Sequence, residues 1–232
     1  MKKAEYDMYD KFFPNRADTL SLGTDCNLCQ KAGFQFCGKD IVWGNGNRNS
    51  DLLIAGQDSA GADPKQRLWK ASRITLFPLS NKKTGAKFRI FLHKAGFNPF
   101  DVFITNVVKC NTGYDTKSYT FKDLFPYCSQ HLRWEIETIR PKVIISLGGK
   151  ATEAIKKLLD VFEPISLSEF NDSGLLNPHP PCTAKFGKLN IKIVPMCHPS
   201  RVEGVSREGE YVENLQAVNS LLREEMKGIN GR

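Results

Sequence analysis

Four short apolar runs, separated by stretches of helical periodicity, restrict this chain more than any other feature. They are DLLIAG (51–56), DVFITNVVKC (101–110), KVIISLG (142–148) and NIKIVPM (190–196). Each has strand length, and the first is closed by Gly56. Between them the apolar spacing changes from strand-like to helical. KFRIFLHKAGF (87–97) reads as a helix ending near Gly96. LFPYCSQHLRWEIETIR (124–140) sets Leu124, Cys128, Leu132, Ile136 and Ile139 on one helical face, and Pro141 stops it. GKATEAIKKLL (149–159) does the same with Ala151, Ala154, Ile155, Leu158 and Leu159. EYVENLQAVNSLLREEM (210–226) turns Tyr211, Leu215, Val218 and Leu222 inward. Strands alternating with helices imply a parallel sheet covered on both faces. The expected fold is an α/β, three-layer α/β/α sandwich with a central, mainly parallel four-stranded sheet. No linker or repeat divides it, so residues 1–232 are read as a single domain.

Composition narrows the partners. A chain of 232 residues can bury one substantial core, and 25% charged with 10% aromatic residues argues against disorder. No apolar run approaches the roughly 20 residues that cross a bilayer. The opening MKKAEYDMYDKFF has no apolar stretch of signal-peptide type, so the expected location is the cytoplasm. The formal charge of +8 suits a polyanion such as nucleic acid. Nothing in the pattern demands a dimer, and a monomer is expected.

Seven cysteines in a chain without an export signal argue against structural disulfides. Cys26 and Cys29 form a C-x2-C pair, Cys110 ends the second apolar run, and Cys128 lies on the helix after it. Four soft sulfur ligands suggest a metal or an iron–sulfur site, and zinc would use the same set. Cys37, Cys182 and Cys197 are read as small buried residues.

Polar chemistry gathers where the strands end. AGQDSAG (55–61) brings Gln57 and Asp58, ITNVVKC (104–110) brings Asn106, and CHPSR (197–201) brings His198 and Ser200. Parallel sheets bind ligands beyond the carboxyl ends of their strands. A carboxylate, a carboxamide and an imidazole therefore converge on one crevice. SLGGKAT (146–152) lacks the spacing of a dinucleotide-binding loop.

These three segments, in this order and with cysteines 26, 29, 110 and 128, resemble the uracil-DNA glycosylase superfamily, most of all its iron–sulfur branch, family 4. The resemblance spans about residues 25 to 202. It implies hydrolysis of the N-glycosidic bond of uracil in DNA, with the base flipped out of the helix. It implies a 4Fe–4S cluster on the four cysteines, zinc being the alternative, and uracil-containing DNA as partner. Asn106 would read the base, accepting from uracil N3–H and donating to O4. His198 would stabilise the leaving uracil, and Ser200 would bond a DNA phosphate. Gly56, Gln57 and Asp58 match the start of the GQDPYH motif of cluster-free family 1 enzymes, in which the aspartate helps water attack. Asp58 would thus be the catalytic carboxylate, with Asp63 as substitute; a capping aspartate at a helix start is the other reading of Asp58. Val202 or Val205 would wedge into the gap left by the base.

Two departures stand out. Ala60 aligns with the tyrosine that normally crowds uracil C5, which opens the question of 5-substituted uracils. The P-F-V-G segment is missing, and Phe77 is the substitute for the ring that stacks on uracil. Rival readings are a noncatalytic member that binds damaged DNA, a glycosylase for another deaminated or mismatched base, and a zinc-stabilised nucleotide-binding protein.

Overall fold

The computed structural model describes residues 44–58, 82–98, 101–109, 121–161 and 181–230. In chain order they form β1 (Asn45–Gly46), β2 (Leu52–Asp58), α1 (Lys82–Lys94), β3 (Phe103–Val108), α2 (Phe121–Ile139), β4 (Val143–Leu147), α3 (Gly149–Leu158), β5 (Cys182–Phe186), β6 (Leu189–Met196), a 3-10 turn (Pro199–Arg201) and α4 (Val205–Asn230). Among the described residues these strands make one sheet, in the order β1-β3-β2-β4-β6-β5. The four expected strands are its centre, β3-β2-β4-β6, and all pair in parallel.

The sheet is wider than the four strands expected. β1 and β5 are added at the two edges, and both run antiparallel to their neighbours. Sequence reasoning missed β1 because two residues carry no periodicity. It missed β5 because CTAKF alternates buried and exposed residues, the pattern of a one-sided edge strand rather than a central one. β5 and β6 are joined by a tight turn in which Gly187 takes φ 58°, a conformation that favours glycine.

Strand alternation sends side chains to two cores. Leu52, Ile54, Ile104, Val143, Ile145, Val194 and Met196 pack under α1 and α4, against Phe88, Phe91, Leu92, Tyr211 and Leu215. Leu53, Ala55, Phe103, Val107, Ile144, Ile191 and Ile193 pack on the other face under α2 and α3, against Leu132, Ile136, Ala154 and Ile155. The result is the three-layer α/β/α sandwich. All five residues assigned to the inner face of α2 are buried, as are all five assigned to α3. Of the four assigned to α4, Tyr211, Leu215 and Val218 are buried, and Leu222 is partly so. Cys182 and Cys197 are buried, as expected; Cys37 lies outside the described residues.

Gly56 does not close β2, which runs on through Gln57 to Asp58. The chain leaves β2 toward β3 on one side and returns to place β4 on the other. The order therefore reverses at β2, the position beside which open α/β sheets hold their ligands.

Candidate active site

The ladder fixes the relative height of the polar residues. Gly56 of β2 lies opposite Asn106 of β3, and Asp58 opposite Val108. On the far side of β2, Leu147 pairs with Met196, and His198 follows two residues later. Alternation assigns Asn106 to the α1/α4 face with Ile104, because Phe103 and Val107 lie in the opposite core. Asn106 and the segment before His198 are separated by three strand spacings, about 14 Å of backbone. Gly56, having no side chain, stands next to the carboxamide in the ladder.

Asn106 is the anomalous residue of this row. It is only 1% exposed, yet neither its Oδ1 nor its Nδ2 has a hydrogen-bond partner among the described residues. Burying such a group without partners costs about 1–3 kcal/mol, so buried polar groups are normally satisfied. A carboxamide without a partner among the described residues, near the carboxyl end of a central strand, has hydrogen-bonding capacity to offer a ligand.

Asp58 ends β2 and is half-buried. Burial holds its carboxyl above the ordinary value of 3.8, opposed by a hydrogen bond from Gln57 and by the charge of Lys150. Gln57 Nε2 donates to Asp58 Oδ2 at 3.3 Å. Gln57 and Asp58 are thus directly coupled, and the nearby Lys150 belongs to the first turn of α3.

His198 stands before the 3-10 turn, with Pro199 as the first residue of that turn. Its Nδ1 accepts from the Ser200 backbone N–H at 3.3 Å and lies 2.7 Å from the Ser200 hydroxyl. An Nδ1 that accepts a backbone N–H carries no proton, so the neutral ring carries its proton on Nε2. Burial, helped by the Arg201 charge, pushes the imidazole below its ordinary 6.5 and keeps it neutral. Ser200 is exposed, and its hydroxyl is engaged with the histidine.

The histidine loop is clamped at both ends. The Tyr211 hydroxyl donates to the Cys197 carbonyl at 3.0 Å. Lys87 bonds the Val202 carbonyl and pairs with Glu208 at 2.8 Å. Gly148 donates to the Met196 carbonyl at 2.8 Å, and a Cβ at Gly148 would lie 3.7 Å from the His198 Cβ. Gly148 also takes φ 88°, which favours glycine here. The Gly148–Lys150 segment therefore borders His198 at one end and carries, at the other, the charge that acts on Asp58. Sequence reasoning missed Tyr211, Lys87 and Gly148 as loop supports; only the contact across elements reveals them.

Of the two valines considered as wedge, Val202 is 2% exposed and belongs to the core under α1 and α4. It has no surface to insert, which corrects that expectation. Val205, at the start of α4, is 89% exposed. Phe77, Ala60 and Asp63 lie outside the described residues.

The same is true of Cys26, Cys29 and Cys110. Cys128 is described: it is buried on the inner face of α2. α2, which carries it, packs against β3, the strand that leads into Cys110. No group of three or more potential metal ligands occurs among the described residues. No helix among them is long and apolar enough to cross a membrane.

Residues 43–223 match the family model described as the uracil DNA glycosylase superfamily. The chain is 28% identical over 148 residues to the type-4 uracil-DNA glycosylase of Saccharolobus solfataricus, covering 62% of each protein. It is 25% identical over 177 residues to the type-4 uracil-DNA glycosylase of Archaeoglobus fulgidus, covering 75% of this chain and 77% of that protein.

Proposed function

Because the chain belongs to the uracil DNA glycosylase superfamily, we propose that it hydrolyses the N-glycosidic bond of uracil in DNA, the first step of base excision repair. The single observation that carries this reading is the buried carboxamide of Asn106, which has no partner among the described residues. Uracil offers a donor at N3 and an acceptor at O4, and one carboxamide complements both. Cytosine offers the reverse at these positions and would leave the buried groups unpaired, a strong basis for rejection. A paired base cannot reach Asn106, so the nucleotide must be extruded from the helix. The net charge of +8 favours the polyanion that carries it.

Bond cleavage leaves negative charge on uracil O2 and positive charge on the sugar. His198, neutral with its proton on Nε2, supplies a donor fixed by the Ser200 bonds. Asp58 offsets the sugar charge and orients the attacking water, while Gln57 holds its carboxylate. The role of Ser200 is to set the tautomer and aim of His198, in addition to the phosphate contact expected from the motif.

The four cysteines would hold a 4Fe–4S cluster, which when bound supplies a covalent staple between the N-terminal segment, the end of β3 and α2. Cys128, buried on the helix that packs against β3, fits that set. Anaerobically purified protein should contain about four irons and four sulfides and absorb in the thiolate-to-iron region. Cys128→Ser should lose that absorbance. A colourless protein loaded with zinc would refute the cluster.

The decisive experiment is single-turnover incubation with uracil-containing oligonucleotide, scoring alkali-labile abasic sites as a function of pH. Abasic product is expected; DNA binding without product would support a noncatalytic member instead. The ionised Asp58 is the active form, and its pKa is raised, so the rate should climb as pH rises through a value above 3.8. His198 titrates below 6.5, so it is neutral at pH 6.5 and above. The rate should therefore show no inflection near 6.5, and an inflection there would contradict the assignment of a neutral imidazole.

A further inference from the structure

A cluster of charge lies behind the site, unused by the chemistry above. Lys109 and Glu135 form an ion pair in which each side chain is 1% exposed. The Lys109 ammonium also bonds the Thr105 hydroxyl, and it donates to the backbone carbonyl of Asn106 at 2.6 Å. The Glu135 carboxylate accepts from the Thr105 hydroxyl at 2.8 Å and from the Gly44 N–H at 3.1 Å. We propose that this pair is the positioning device that aims the Asn106 carboxamide.

Three observations carry the assignment. The pair grips the strand on both sides of the reading residue, through the hydroxyl of Thr105 and the carbonyl of Asn106 itself. That carbonyl belongs to the peptide plane that sets the Cα–Cβ direction of Asn106. The pair also acts from the opposite face: Thr105 and Lys109 point toward Glu135 of α2, whereas Asn106 points to the α1/α4 side. It therefore fixes the carboxamide without occupying the space of the base. Finally, the bonds anchor β3 to α2, and α2 to Gly44, the residue just before β1. A buried ion pair is weak grounds for stability alone, since apolar side chains often fill such a site as well. Directional bonds to one strand residue do what apolar packing cannot: they hold an angle. Binding groups must be held to a fraction of an ångström to work.

The proposal rests on the reading of Asn106 as the base-contacting residue, and its test separates the two. The paired replacement Lys109→Met with Glu135→Leu removes both charges together. Its crystal structure should show the Asn106 peptide plane and carboxamide displaced or in several conformers. An Asn106 superimposable on wild type overturns the proposal, whatever the enzyme cleaves. In kinetics, the paired replacement should lower kcat/KM for uracil release about 10- to 100-fold, the scale of an ångström-sized misplacement. In an Asn106→Ala background it should cost nothing more, because the carboxamide it aims is gone. Equal losses in both backgrounds would mean a general effect on the fold and would also overturn it. Should the paired variant fail to fold, Glu135→Gln serves in its place, because it keeps the side-chain shape and removes the charge that holds Lys109. If wild-type protein makes no abasic sites, the functional reading fails, and the crystallographic comparison still decides the role of the pair.

Discussion

Asp58→Asn should release uracil about 10²–10³ times more slowly than wild type, the usual consequence of removing one preorganised electrostatic group. It should do so while melting at the same or a slightly higher temperature. Both outcomes have one cause. Burial raises the pKa of Asp58 in the folded protein. A carboxyl of this kind contributes stability below its unfolded pKa, and that contribution is lost as pH rises through the folded one. At neutral pH the ionised side chain thus burdens the fold, and a neutral amide of the same shape does not. The melting difference should narrow as pH falls toward the ordinary carboxylate range. Rate and melting temperature measured on one preparation test both halves. Cleavage at the wild-type rate would remove Asp58 from the mechanism.

Asn106→Leu should show the same opposition more sharply. Two buried polar atoms without partners among the described residues weaken the fold, by roughly 1–3 kcal/mol. Leucine has a similar size and no polar atoms, so denaturant unfolding should find the variant at least as stable as wild type. Uracil recognition should collapse. Sites that read a substrate through hydrogen bonds discriminate on the order of 10⁴-fold, and the preference for uracil over other bases should fall toward parity. A variant that keeps its uracil preference would show that another group reads the base. A variant that unfolds would show that the carboxamide has a structural partner after all.

These predictions turn on groups whose position cost stability rather than adding it, which is why they were partly legible early. Asp58, Asn106 and His198 stand at the ends of strands in a chain otherwise apolar there, and the motif order marked them. Lys109 and Glu135 were not singled out, although the sequence carries a signal for each. Lys109 interrupts VV-K-C at the end of a buried run, and Glu135 falls among Leu132, Ile136 and Ile139 on the apolar side of α2. A charge on each of two packed faces signals a partner, but periodicity does not say which. Val202 and Val205 show the opposite limit. Three residues apart and alike in chemistry, they differ from core to open solvent because one precedes and the other begins α4.

By itself the chain's order of residues determined the layers, the four central strands, the inner faces of α2, α3 and α4, and the short polar segments at the strand ends. These follow from local spacing, since a strand or helix buries whichever stripe is apolar. Folding in three dimensions decided the reversal at β2, the two edge strands, the tautomer of His198, the clamps of Tyr211 and Lys87, and the pair behind Asn106. Each of these depends on residues distant in sequence meeting at hydrogen-bond range, and no periodicity within a single segment encodes such a distance.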